Sequence, residues 1–181
     1  MIYVIRHGKT EWNERQLMQG KADIPLNENG REDARKAHEK YADLPVDICY
    51  CSPLIRAKET AELFLEGRNI PIIPDERLSE MDFGVYDGQA AIGEFVDTGF
   101  YHHPEAYQTP KGGESFAELY FRTGEFIREV LMPLHREGKN ILIAGHGCMN
   151  CALIAQLEYT PIKDIWKHMQ RNGDVYTVKM Q

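Results

Sequence analysis

The chain has 181 residues, 43% of them apolar and 27% charged, a balance that suits one soluble globular domain with a sizeable core. No apolar run approaches the length of a membrane span, and the N-terminus lacks the basic-then-apolar layout of a secretory signal, which points to a cytoplasmic protein. A net charge of −7 argues against nucleic acid as an electrostatically driven partner, so an anionic ligand would need locally gathered basic residues.

The first strand is expected at Ile2–Ile5, running straight into Arg6-His7-Gly8. A helical pattern follows over about Glu28–Ala42. A second strand, Asp47–Cys51, ends at Ser52-Pro53-Leu54-Ile55-Arg56. There Ser52 reads as an N-cap and Pro53 as a first-turn residue of a helix over Pro53–Glu66. A short strand is expected at Pro71–Pro74. The stretch from Val85 to Gly113 fits neither period and mixes glycines and prolines with aromatics, so it reads as a cap or long loop over a site. One helix is expected over Ser115–Arg136. Strand Asn140–Ala144 then ends at Gly145-His146-Gly147, and helices over Met149–Leu157 and Ile162–Met169 precede a last strand at Val175–Met180. Strands alternating with helices, several of them unbroken apolar runs, imply an α/β domain whose mostly parallel sheet is covered on both faces. There is no internal repeat, low-complexity tract or linker, so a single domain is expected over residues 1–181.

Three strand ends share one layout. In parallel α/β sheets ligands bind outside the carboxyl ends of the strands. His7, His146, Arg6 and Arg56 are therefore sent toward one place. Glycines beside each histidine let backbone N–H groups approach closely. Two arginines offer fixed forks of donors that suit an oxyanion such as phosphate. A histidine among arginines has its charged form disfavoured, and neutral imidazole is a nucleophile. His7 is thus placed to attack a phosphoryl group that Arg6 helps to hold, with His146 as a donor to the transferring group. The leaving oxygen needs a proton, and Leu78-Ser-Glu80-Met-Asp82-Phe-Gly84 offers two acids, Glu80 and Asp82. Arg56 in a first helical turn is poorly placed against the helix dipole, which favours a functional over a structural role.

The chain resembles the histidine phosphatase superfamily, the phosphoglycerate-mutase-like group. The resemblance rests on Arg6-His7-Gly8-Lys9-Thr10-Glu11-Trp12-Asn13, on Gln19-Gly20 with Asp23, Pro25-Leu26 and Gly30, and on Ser52-Pro53-Leu54-Ile55-Arg56-Ala57 with Glu59-Thr60-Ala61. The acid block, Gly113-Glu114-Ser115 and Gly145-His146-Gly147 follow in the family's order. The resemblance implies a three-layer α/β/α sandwich with a short cap, about residues 85–113, inserted beside the site. It implies His7 as the phosphorylated nucleophile and Glu80, rather than Asp82, as the proton donor. Arg6, Arg56 and His146 would complete the phosphate pocket, with Asn13, Gln19, Thr10 and Gly147 as further contacts. Tyr86 stands where many members carry Trp, and Cys148-Met-Asn-Cys151 after the last block is unusual; neither removes a required group.

Cys49-x-Cys51 and Cys148-x-x-Cys151 have metal-like spacing, but a buried strand and a packed helix account for them as small apolar residues. Cys148 near a helix N-terminus is placed for a lowered pKa and oxidation sensitivity. His102 and His103 read as solvated loop residues, and His38, His135 and His168 need no role. The expectation is a metal-independent phosphomonoesterase of the histidine acid type, with no cofactor, acting on a small phosphate monoester through a phosphohistidine. A phosphoglycerate-mutase-type phosphotransferase and a non-catalytic phospholigand-binding domain are the alternatives. Between Arg77 and Lys111 there is no lysine or arginine, while Asp87, Glu94, Asp97 and Glu105 accompany Phe95, Phe100, Tyr101 and Tyr107, so the cap suits an uncharged or aromatic remainder rather than a second phosphate.

Overall fold

The computed structural model describes residues 1–90 and 94–179. Its centre is a five-stranded sheet built from β1 (Ile2–Arg6), β2 (Ile48–Cys51), β3 (Ile72–Pro74), β4 (Ile141–Gly145) and β5 (Val175–Thr177). The strand order is β3-β2-β4-β1-β5; all neighbours are parallel except β1 and β5, which run antiparallel. The antiparallel edge strand is a feature that the apolar runs did not reveal. β5 is also shorter than expected, and Met180 lies outside the described residues, as do residues 91–93 of the expected cap.

Side chains alternate across a strand, and β1 and β4 at the centre of the sheet are buried on both faces. Ile2 and Val4 of β1 and Ile141 and Ile143 of β4 join one core, with Leu119, Phe126 and Ile154. Tyr3, Ile5, Leu142 and Ala144 join the other, with Cys49, Cys51, Ala61 and Phe64. After a short α1 (Glu11–Glu14), helices α2 (Glu28–Lys40) and α3 (Ile55–Phe64) supply the second layer; after a short α4 (Glu94–Asp97) in the cap, α5 (Phe116–Phe126) and α7 (Gly147–Leu157) supply the first. The result is the expected three-layer α/β/α arrangement. Among the described residues no helix is long and apolar enough to cross a membrane.

Two helices depart from expectation. The turn Ser52-Pro53-Leu54 precedes α3 rather than opening it: the Leu54 N–H donates to Ser52 Oγ at 3.2 Å, and α3 begins at Ile55. Its first N–H is instead capped from another loop, donating to Asp23 Oδ1 at 2.7 Å. The helix expected over Ser115–Arg136 starts at a capping box of Ser115 and Glu118, then passes through a π-helical stretch, Ile127–Leu131, into a short α6 (Met132–Arg136). Pro133 sits in the first turn of α6; lacking an N–H, it cannot make a regular i→i−4 bond, and the ladder changes pitch just before it. The segment Ile162–His168 is a 3₁₀ helix.

Candidate active site

The sheet register builds the site. Arg6 pairs with Gly145, and Ala144 with Cys51, so three strands end level with one another. The ladder continues one step further: His7 N–H donates to Gly145 O at 2.9 Å and Ser52 N–H to Ala144 O at 3.0 Å. His7 and His146 emerge side by side, their ring centroids 5.1 Å apart. The loop carrying His7 presses on α2, where a Cβ at Gly30 would collide with the Lys9 backbone, so only glycine fits there. Thr60 Oγ1 accepts from Gly8 N–H at 3.0 Å, and the Asn172 side chain donates to His7 O at 2.9 Å.

His7 Nδ1 lies 2.7 Å from Gly8 O. A carbonyl only accepts, so Nδ1 carries the proton and Nε2 keeps its lone pair. Burial, then Arg56 and Arg6, hold His7 well below the usual imidazole range. Burial, Arg56 and His7 do the same to His146. Arg56 is wholly buried and pulled down to about 10 by that burial, which leaves it a cation at neutral pH.

The donors around His7 are only partly used. Arg56 donates to Ala22 O at 2.7 Å and Gly20 O at 2.8 Å, and Arg6 to Gln170 O at 2.6 Å. Arg6 Nε, Arg56 Nε, Gln19 Nε2 and both ring nitrogens of His146 are buried with no partner among the described residues. Buried donors, above all charged ones, are costly to leave unpaired. Thr10 arranges two of the amides. Its backbone N–H and Oγ1 engage Asn13 Oδ1 at 3.0 and 3.1 Å, and Oγ1 also reaches Gln19 Oε1 at 2.9 Å. Both carboxamides thus have their oxygens engaged and their amino groups left over. Thr10 itself does not reach the cavity wall.

Arg6, His7, Asn13, Gln19, Glu80, Gly147 and Cys148 form the polar end of a cavity of about 250 Å³. Arg56 and His146 lie behind that wall, fully buried. Glu80 accepts three backbone N–H groups: Met81 and Met149 at 2.9 Å on Oε1, and Cys148 at 3.0 Å on Oε2. It therefore closes the first turn of α7, where Gly147 N–H is the remaining donor on the wall. Asp82 accepts from Gly84 N–H at 2.8 Å and is not on the wall. Arg122 ties the Glu80 segment down through Arg77 O at 2.6 Å and Glu80 O at 3.2 Å, while paired with Glu114 at 2.6 Å.

Several residues shape the site in ways that the sequence did not indicate. Asp87 accepts from Gly20 N–H at 2.7 Å and Ala22 N–H at 3.0 Å, so the Gln19–Ala22 loop is gripped by Asp87 on one side and Arg56 on the other. Its acidic charge is spent there rather than facing the cavity. The far wall is Leu17, Met18, Phe83, Phe100, Tyr101, Trp166 and Met169. Of the cap aromatics, Phe100 and Tyr101 line it, whereas Phe95 and Tyr107 pack behind them. His102 and His103 are exposed and off the wall, and Glu105 lies 3.5 Å from His103. The four cysteines are free and buried, and no group of three or more His, Cys, Asp or Glu side chains is placed to hold a metal among the described residues. Cys148 does not have the lowered pKa its helix position suggested: burial raises its thiol well above the ordinary value, and Glu80 occupies its N–H.

Residues 2–181 match the description of the histidine phosphatase superfamily, branch 1. The chain belongs to that superfamily. A 2,3-bisphosphoglycerate-dependent phosphoglycerate mutase 2 of Gloeobacter violaceus is 30% identical over 176 residues, 92% of this chain and 80% of that protein. Among solved structures, YhfR of Bacillus stearothermophilus superposes with a TM-score of 0.85 at 33% identity, covering 96% of this chain and 88% of its own. The α-ribazole phosphatase of Shigella flexneri gives a TM-score of 0.83 at 30% identity over 96% of this chain and 87% of its own. The superfamily relatives are thus phosphatase-like and mutase-like.

Proposed function

We propose that the protein is a phosphomonoesterase that transfers the phosphoryl group of a small monophosphate to His7 and then to water. The observation that carries this reading is the set of orphaned buried donors beside a neutral imidazole whose Nε2 lone pair is free. A tetrahedral oxyanion satisfies such donors at once.

In this reading Arg6, Gln19, Asn13 and Gly147 N–H hold the non-bridging oxygens from the cavity wall, and the unpaired Arg56 Nε, buried behind it, reaches them as the group seats against His7. His7 Nε2 attacks phosphorus in line, and the bond to the ester oxygen breaks. Glu80 gives that oxygen its proton, and the alcohol departs. His146, neutral at the start, donates to the phosphoryl oxygens as charge shifts onto them. The carboxylate left on Glu80 takes a proton from water, which attacks the phosphohistidine, releases phosphate and restores both groups. The positive charge comes from the two arginines, so the step needs no metal.

The mutase reading has its own support in the names of relatives such as the Gloeobacter protein. A mutase must hold a second anionic group, and Arg6 is the only lysine or arginine on the cavity wall among the described residues. Hydrolysis is therefore preferred over transfer. The test is to incubate purified protein with a panel of monophosphates, and separately with 3-phosphoglycerate plus 2,3-bisphosphoglycerate. Free phosphate from one or more monophosphates is expected, with little 2-phosphoglycerate. Fast bisphosphoglycerate-dependent interconversion of the phosphoglycerates would replace this reading with the mutase. Tight phosphate binding without turnover of any ester would replace it with a phospholigand-binding domain.

A further inference from the structure

The far wall of the cavity is built from two distant parts of the chain. Phe100 and Tyr101 come from the cap, and Trp166 and Met169 from the 3₁₀ helix and its end, more than sixty residues later. The two parts are joined: Trp166 Nε1–H donates to Phe100 O at 3.0 Å. That bond fixes the indole and uses its only donor. The rings interlock, Phe100 with Trp166 at 4.8 Å and with Tyr101 at 4.9 Å between centroids, and Tyr101 with Trp166 at 6.0 Å. Behind them Phe95, Tyr107 and Phe116 back up Phe100. The wall is thus held from behind, while Tyr101 (40% exposed) and Met169 (43%) stand at its open edge.

The chemistry of this wall is one-sided. Beside the phosphate end it offers mainly carbon and sulfur faces, with Gln16 and the Tyr101 hydroxyl as polar tips. Among the described residues the only cation at this wall is Arg6, whose Nη1 lies 3.6 Å from Met169 Sδ and which the phosphate reading already uses, so none is left over for a carboxylate or second phosphate; the Tyr101 hydroxyl is turned toward Met18 sulfur at 3.9 Å. A volume of about 250 Å³ lies just below the roughly 300–1,000 Å³ typical of ligand cavities, which suits a compact remainder such as a single ring beside the phosphate. From these features we infer that the Tyr101–Trp166–Met169 wall is a subsite for the alcohol part of the substrate, selecting monophosphates whose remainder is flat and uncharged. Trp166 and Tyr101 are its specificity-determining residues. The inference rests on the phosphomonoesterase reading for its role in turnover, but the subsite is testable by binding alone.

The test uses phosphonates, which cannot be hydrolysed. Methylphosphonate reports the phosphate end, benzylphosphonate adds a flat ring, and 2-carboxyethylphosphonate adds a second anionic group. Their dissociation constants are measured by calorimetry with the full chain. Stacking on a fixed aromatic surface should make benzylphosphonate bind about tenfold tighter than methylphosphonate. Trp166→Ala should bring that ratio close to one, and Trp166→Phe should keep most of it. If Trp166→Ala does not fold, Met169→Ala at the exposed edge should still reduce the ratio several-fold. Equal binding of the methyl and benzyl compounds, tighter binding of the carboxyethyl compound than of the benzyl one, or no binding of any of the three, would overturn the subsite. The reaction is judged separately. A tenfold benzyl preference with no ester turnover would keep the subsite and sink the phosphatase reading, whereas turnover without the preference would do the reverse.

Discussion

Glu80 holds three backbone donors and, in the proposed mechanism, also gives up a proton, and replacing it should expose both. Its carboxylate accepts three backbone N–H groups at 2.9 to 3.0 Å, all from residues that are buried. In Glu80→Gln the amide oxygen can still serve Met81 and Met149, but the amide nitrogen then faces Cys148 N–H, donor against donor. One buried N–H loses its acceptor and meets a second donor instead, a cost of about 2–3 kcal/mol. For a domain of this size that lowers the melting temperature by about 5–10 °C. In the proposed mechanism Glu80 is also the general acid, a role that matters most when the leaving group is poor. Hydrolysis of an alkyl phosphate should fall about 10²–10⁴-fold in Glu80→Gln, and that of p-nitrophenyl phosphate by about tenfold or less. Asp82→Asn, off the cavity wall, should show much less of this contrast. The assays are thermal unfolding and kcat/KM for the two esters at one pH. A variant that melts like the wild type, or that loses both substrates equally, would refute the reasoning; a larger contrast in Asp82→Asn would move the acid to Asp82.

Other expectations follow from the same contacts. His7 and His146 are held well below the usual value of 6.5, so the unfolded chain takes up protons that the folded chain refuses. Stability should be complete above about pH 6.5 and fall below it by up to about 1.4 kcal/mol per pH unit for each histidine, as read by urea unfolding; equal stability at pH 7.5 and 5.5 would contradict this. Asp87→Asn weakens the grip on the Gln19–Ala22 loop and should lower kcat/KM about tenfold or more, with loss of phosphate affinity and partial rescue by Asp87→Glu. Unchanged vanadate binding in Asp87→Asn would show that the loop does not depend on it. The four buried thiols should resist a disulfide exchange reagent in the native protein and react together on denaturation. Fast native labelling of Cys148 would contradict its raised pKa.

The sequence carried the chemistry better than the walls around it. Unbroken apolar runs such as Ile141-Leu-Ile-Ala144 mark strands buried on both faces, and the residues just after them had to converge at one sheet edge. Side-chain use was harder to read. Nothing in the spacing says that Thr10 spends its hydroxyl on Asn13 and Gln19, or that Asp87 is consumed by two N–H groups instead of facing substrate. Local pattern also hid the antiparallel β5, because strand direction is a tertiary choice. Trp166 and Met169 sit in an amphipathic stretch that reads as ordinary packing. Trp166 is fixed on the cavity wall by a bond to Phe100, 66 residues away in sequence, and Met169 meets Arg6 Nη1 at 3.6 Å.

The central claim is a covalent phosphoryl group on His7, and alkaline rapid-quench trapping tests it most directly. A ³²P-labelled monophosphate that the protein turns over is mixed with excess enzyme, quenched in base to preserve phosphohistidine, and digested for peptide mapping. Label should appear transiently, at up to one equivalent, on the peptide containing His7, and neither label nor turnover should survive in His7→Ala. Steady turnover with no labelled peptide, or full activity in His7→Ala, would contradict the account.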